Sequence, residues 1–296
     1  MRVSQGQIFD ACKRELERCA SRLLSLQRQA ATGKRVTRPS DDPLAAARIS
    51  ETRVLLAKID HSLRGNEYVS CWLSVTESSL SQISDALARA KELAISQASS
   101  TASGASRAAA AKEVRQLYDH IVQLANARLG NRYIFGGTST LTPPVERDDS
   151  YNPSFRGNDG KMSIRVGDGQ TLVMNVTVQE ALRGMGALET LRDLISSLES
   201  NDAGGVASQL DSLDEAMDAI NVCLAEVGSR AKVLEGHGEV LSEMQLDLQV
   251  ALSGLQDADT VQVFMDLANQ QVVYEAALRA AASVINRSSL MQFLSS

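Results

Sequence analysis

The chain has 296 residues; 44% are hydrophobic, only 4% are aromatic, and the single tryptophan is Trp72. A core of Leu, Ile, Val and Ala suits long packed helices better than an aromatic-rich globular enzyme. The net charge of −6 is spread along the chain with no basic run, which argues against nucleic acid as a partner, and no window holds the roughly 20 apolar residues of a membrane span.

The five prolines, Pro39, Pro43, Pro143, Pro144 and Pro153, punctuate the sequence. None falls in 44–142 or after 153, as long helices require, because an interior proline removes a hydrogen bond and clashes with the preceding turn. A first helix is predicted over about 4–32, with Ile8, Cys12, Leu16, Cys19, Leu23, Leu26 and Ala30 at spacings of three and four. Gly33 stops it, and residues 33–40 read as an extended loop. Asp42-Pro43 then opens a second helix, Asp as N-cap and Pro as first helical residue. That helix is predicted to reach about residue 100, with a seam of Val69, Leu73, Thr76, Leu80, Ile83, Leu87, Ala90 and Ala94. After a Ser/Thr/Ala/Gly break at 99–106, a third helix is predicted over about 107–129, with Val114, Leu117, Ile121 and Leu124 on one face.

The period then changes to two. Met162, Ile164 and Val166, then Leu172, Met174 and Val176, flank the turn Gly167-Asp168-Gly169-Gln170, which predicts a hairpin, and Tyr133-Ile134-Phe135 is a further predicted strand. A short helix over 187–199 leads to the strongest periodicity in the chain. Val206, Leu213, Ile220, Val227, Leu234, Leu241, Leu248 and Leu255 stand seven apart. A companion line of Leu210, Met217, Leu224, Ala231 and Leu252 is spoiled only by Gly238 and Gln245, and the two lines together predict coiled-coil packing. Beyond Asp257-Ala258-Asp259 a last helix is predicted over about 260–290, carrying Phe264, Leu267, Tyr274, Leu278, Ala281 and Ile285.

The expected fold is mainly α with a small β insert: a long antiparallel helical rod made by N- and C-terminal arms around a central β-rich domain. The expected division is an N-terminal assembly segment at 1–43, a helical rod at 44–130 and 187–257, a β-rich insert at 131–186 and a C-terminal assembly helix at 258–296. Each amphipathic helix needs a partner for its stripe. Ile8, Leu16, Leu23, Leu26, Phe264, Leu267, Tyr274, Leu278 and Ile285 are the residues expected to pack between subunits.

Nothing in the sequence converges on catalysis. His61, His120 and His237 lie in separate helical segments outside any HxxxH pattern. Gly33-Lys34 lacks the strand and the other residues of a phosphate loop. Cys12, Cys19, Cys71 and Cys223 form no CxxC pair and read as small hydrophobes at packed helix positions, with an intermolecular disulfide as the sharper alternative. No enzyme activity, cofactor or metal is expected. Charges throughout residues 1–30 leave no apolar segment for a cleavable signal peptide.

The stretch Ala31-Thr32-Gly33-Lys34-Arg35-Val36-Thr37-Arg38-Pro39-Ser40-Asp41-Asp42-Pro43 resembles the N-terminal segment of the flagellin superfamily. The proline after the paired aspartates is closer to the hook–filament junction branch, hook-associated protein 3, than to flagellin itself. Met1-Arg2-Val3-Ser4, Asn131-Arg132-Tyr133-Ile134-Phe135-Gly136-Gly137, Val227-Gly228-Ser229-Arg230 with Leu234-Glu235, and Asp257-Ala258-Asp259 are similar to further segments of that family. The resemblance spans both arms, about 1–137 and 206–296. It implies a structural flagellar subunit exported unfolded by the flagellar type III route, with flagellin as the alternative reading. It also implies partners: neighbouring copies in a ring, hook-associated protein 1, flagellin and an export chaperone. Four cysteines depart from the family habit of few or none.

Overall fold

A computed structural model describes residues 5–99, 102–166, 170–182 and 186–294. The chain divides into two compact units, Met1–Ile59 with Met244–Ser296, and Asp60–Glu243. Its helices are α1 (Gln5–Thr32), α2 (Pro43–Gln97), α3 (Gly104–Ala125), α4 (Val178–Ala181), α5 (Ala187–Glu199), α6 (Ala203–Gln256) and α7 (Thr260–Leu294). Among the described residues, three separate antiparallel pairs lie between α3 and α4: β1 (Arg128–Leu129) with β2 (Arg132–Tyr133), β3 (Val145–Arg147) with β4 (Pro153–Phe155), and β5 (Ser163–Val166) with β6 (Gln170–Val173). The fold is mainly α with a small β insert, as the two periodicities predict.

In the 60–243 unit the predicted seams form the core. Every residue of the α2 seam from Val69 to Ala94 is buried, as are Val206, Leu213, Ile220, Val227 and Leu234 of the heptad line on α6. Trp72 is fully enclosed among them. The companion line, Leu210, Met217, Leu224 and Ala231, is half-buried at the edge of the same core.

α3 departs from its predicted bounds at both ends. Ser103 caps it, its hydroxyl accepting from the Ser106 amide at 3.2 Å, so it begins at Gly104. It stops at Ala125 because Asn126 turns to the insert: its Nδ2 donates to the Val145 carbonyl at 2.7 Å and its Oδ1 accepts from the Val145 amide. Residues 128–133, expected as helix end and strand start, instead make a tight hairpin around Gly130, whose φ of +60° glycine adopts without strain. The predicted strand Tyr133-Ile134-Phe135 is therefore strand only at Tyr133, while Ile134 and Phe135 are buried as loop residues.

The predicted hairpin exists with Ile164 opposite Leu172 and Ser163 opposite Val173, though its turn 167–169 lies outside the described residues. Buried Asn175 ties its base, its side chain accepting from the Met162 amide at 2.8 Å and donating to the Gly160 carbonyl at 2.9 Å. The β3–β4 pair and α4 were not predicted. Strands of three residues are too short to show a period of two, and α4 rests on a capping box of Thr177 with Glu180.

Arg107, only 4% exposed, ties two turns of this unit together. Its guanidinium donates to the carbonyls of Gln97 (3.1 Å) and Ser99 (2.8 Å), where α2 ends, and to Asn201 Oδ1 (2.5 Å) in the turn before α6. Helix-terminal carbonyls have no partner within their own helix, so the arginine stands in for one.

Candidate functional site

In the unit of 1–59 and 244–296, the loop after α1 is built on four polar side chains. Gly33 ends the helix at φ +67°. Asp41 Oδ2 accepts from the Thr37 amide (3.1 Å), the Thr37 hydroxyl (3.0 Å) and the Arg38 amide (2.8 Å), folding 37–41 into a compact turn. Asp42 caps α2 by accepting from the Ala45 amide at 3.0 Å, with Pro43 as first helical residue, as its sequence position predicts. Arg35 pairs with Asp42 at 3.3 Å. Hydrogen-bond donors lower both carboxyls below the usual aspartate range: the amides of Arg38 and then Thr37 for Asp41, and the Ala45 amide first with the Arg35 guanidinium after it for Asp42.

This loop meets the junction of α6 and α7. The amides of Arg35 and Val36 donate to the Gln256 carbonyl (2.8 and 3.3 Å), and the Arg35 guanidinium donates to the Leu255 carbonyl at 2.9 Å. Lys34 and Asp257 form an isolated antiparallel bridge, and the Ala258 amide donates to the Gly33 carbonyl at 2.9 Å. Arg53 from α2 donates to Gln256 Oε1 at 3.0 Å. A small core of Val36, Ala45 and Ile49, flanked by Ala46, Leu252 and Leu255, seats the loop. The segment whose motif stands out in the sequence is thus a joint between the two terminal arms.

Beyond the joint α1 packs against α7, and Gln270 Nε2 donates to the Cys19 carbonyl at 3.3 Å. Of the nine residues expected to pack between subunits, Leu26 is buried within the subunit, at 9% exposure. Leu16, Leu23, Leu267 and Tyr274 are half-buried, and Phe264 and Leu278 are exposed. The side chains of Ile8 and Ile285 lie outside the described residues. An open apolar groove of about 360 Å³ runs between Phe9, Cys12 and Leu16 on α1 and Leu278, Ala281 and Ala282 on α7.

Sequence periodicity missed the larger part of the exposed apolar surface. Val261, Met265, Val272 and Val273 on α7, and Met244 and Val250 on α6, are all exposed. The signal was present in a different form: the apolar residues of α7 are not confined to one stripe, so α1 covers only part of them. Apolar surface of this extent marks sites of protein association.

The histidines and cysteines form no cluster with one another among the described residues. His61 and His120 are exposed, and His237 shares a hydrogen bond of 3.0 Å between its Nδ1 and Asn66 Nδ2. All four cysteines are free. Cys223 fits the packed reading, and burial pushes its thiol up, but Cys71 does not fit it: it faces solvent, on the side of α2 opposite the Trp72–Leu73 seam. Among the described residues no group of three His, Cys, Asp or Glu side chains is arranged to hold a metal, and no helix is long and apolar enough to cross a membrane.

Residues 3–140 match the bacterial flagellin N-terminal helical region. The N-terminal arm is thus similar to that of the flagellins. It is 24% identical to flagellar hook-associated protein 3 of Salmonella typhimurium over 305 aligned positions, covering 94% of this chain and 95% of that protein. It is 22% identical to a flagellar filament 30.7 kDa core protein of Treponema maltophilum over 251 positions, covering 85% and 84%. Among solved structures, a putative flagellar hook-associated protein from Vibrio parahaemolyticus superposes with a TM-score of 0.68 at 23% identity, over 73% of this chain and all of that one.

Proposed function

We propose that the protein is a structural subunit of the bacterial flagellum that joins hook and filament. The observation that carries this reading is the end-to-end alignment with a hook-associated protein 3, 94% of one chain on 95% of the other, while the filament protein aligns over a smaller share of both. The exposed apolar residues of α6 and α7 support the reading physically, because they gain cover only from neighbouring subunits.

On this reading residues 1–43 and 258–296 are the assembly segments, 44–130 with 187–257 the helical body and 131–186 the insert. The residues that pack between copies are Leu16, Leu23, Phe264, Leu267, Tyr274 and Leu278, with Ile8 and Ile285 beyond them, and Leu26 supports them from within. Its neighbours are copies of itself in a ring, hook-associated protein 1 on one side and flagellin on the other. It leaves the cell by flagellar type III export with the help of a chaperone, and it catalyses no reaction. Deleting the gene is expected to leave hooks intact while filament protein is lost to the medium; normal filaments in that strain would overturn the assignment. The alternative, the filament subunit itself, is favoured by the alignment with the Treponema filament protein. Purified protein that polymerises into long filaments would establish the alternative.

A further inference from the structure

The break between α6 and α7 has little local cause. From Leu255 to Val263 the sequence is Leu-Gln-Asp-Ala-Asp-Thr-Val-Gln-Val, with neither glycine nor proline. Among the described residues no backbone in this stretch has a positive φ, so the left-handed residue that commonly ends a helix is missing. The one local signal is Asp259, whose Oδ1 accepts from the amides of Val261 (3.0 Å) and Gln262 (3.2 Å) as the N-cap of α7.

The groups that end α6 come from the other arm. In an uninterrupted helix the carbonyls of Leu255 and Gln256 would accept from the amides four residues on, and the Ala258 amide would donate to Gly254. Here the Leu255 carbonyl accepts from the Arg35 guanidinium, and the Gln256 carbonyl from the amides of Arg35 and Val36. The Ala258 amide donates to the Gly33 carbonyl. The two carbonyls and the Ala258 amide freed at the break thus take their partners from residues 33–36, about 220 positions earlier in sequence.

We propose that the 33–42 loop is a detachable cap that breaks the C-terminal arm. With the loop seated, α6 and α7 are two helices. With it unseated, residues 253–263 close their own hydrogen bonds and the two run on as one. The exchange is nearly even in hydrogen bonds, so the seating of Val36 on Ala45, Ile49, Leu252 and Leu255 decides which form is present. The N-terminal loop thereby sets the conformation of the C-terminal arm within a single subunit, and the inference requires no partner and no particular place in the flagellum.

The test uses the isotopically labelled full-length protein, comparing carbon chemical shifts and amide exchange at 257–260 with and without Val36→Asp, which places a carboxylate in the small core. Trp72 fluorescence reports whether the 60–243 unit stays folded. In the unaltered protein residues 257–259 show non-helical shifts. In Val36→Asp they are expected to move to helical values, and the amides of Asp259 and Thr260 to exchange about tenfold more slowly, as newly formed helical bonds protect them. If these residues stay non-helical or become random coil while Trp72 is unchanged, the proposal fails. Should Val36→Asp disturb Trp72, Arg35→Ala decides by the same readout, and no gain of helical character at 257–260 overturns the idea. Asp259→Ala is the converse control: the break is expected to persist, and a continuous helix in that variant would show that the local cap alone makes it.

Discussion

Val272→Asp separates the two roles an apolar residue can have in this chain. Val272 is 68% exposed on α7 in the single subunit. Full burial of a valine contributes about 1.5 kcal/mol, so roughly 1 kcal/mol of that is still to be gained from a neighbour. An aspartate at the same place would carry a carboxylate into the interface, and its desolvation costs several kcal/mol more. A total near 4 kcal/mol lowers the association constant about a thousandfold. In the isolated subunit the same change sits on an exposed helix face, between residues of similar helix propensity, and is expected to stay within about 0.5 kcal/mol.

Leu73→Ala is the mirror image. Leu73 is fully buried in the 60–243 unit, and its truncation costs about 2–5 kcal/mol. For a unit of this size that lowers the melting temperature by roughly 4 °C or more. Thermal melts followed by circular dichroism give the stability arm of the comparison. Filament retention on cells, normalised to the amount of variant exported, gives the assembly arm. Val272→Asp is expected to melt normally and fail to retain filaments. If it melts as low as Leu73→Ala, or retains filaments fully, the assignment of α7 to intersubunit packing is wrong.

Arg107→Met removes three charge-assisted bonds and leaves the α2 carbonyls uncovered; a cost of about 3 kcal/mol and a melting temperature lower by roughly 6–12 °C are expected, and an unchanged melt would refute the clamp. The lowered Asp41 and Asp42 carboxyls bind protons less tightly in the folded state than in the unfolded one, so their contribution is full above the ordinary carboxylate pKa of about 4 and lost as pH falls below it. Melts of the native protein and of Asp41→Asn should therefore differ at neutral pH and converge in acid. Burial first, and the Glu189 carboxylate after it, push the Tyr118 phenol up, and its hydroxyl donates to the Tyr151 carbonyl at 2.9 Å. Its share of stability is present below the ordinary phenol pKa of about 10 and is lost as pH rises beyond it, a loss that Tyr118→Phe should abolish. A thiol reagent should label exposed Cys71 quickly and buried Cys223 only on unfolding, as mass spectrometry of timed samples would show.

The legible parts of the fold are those with a long period. Eight residues seven apart on α6, and the matching seam on α2, state that two helices bury one stripe each, and from Val69 to Ala94 the seam is buried without exception. Shorter features escaped because their cause lies elsewhere in the chain. Nothing around Asn126 indicates that its amide holds Val145, and nothing around Arg107 indicates that it closes two turns. The joint was half legible. Gly33, Asp42 and Pro43 announce a helix stop and a helix start, but the partner of the intervening loop is a pair of carbonyls at Leu255 and Gln256. Pattern reading sees side-chain periodicity, and backbone acceptors leave no trace in it.

The same distinction bears on function. Buried polar side chains in this chain hold turns together: Arg107 on Gln97 and Asn201, Asn175 on Met162 and Gly160, Gln256 on Arg53. Each bonds to backbone or to another structural side chain, so their chemistry is committed to shape. The uncommitted surface is apolar and concentrated on the terminal helices, where Phe264 at 57% and Val272 at 68% exposure face outward. An apolar face has no directional chemistry to offer a small substrate, yet it contributes to association in proportion to its area. A helix such as α7, whose apolar residues extend beyond the side that α1 covers, gains its further cover, on the proposed reading, from helices of neighbouring copies. That requirement was written in the sequence as an absence of pattern in α7, and it becomes readable only once the structure shows which single side α1 covers.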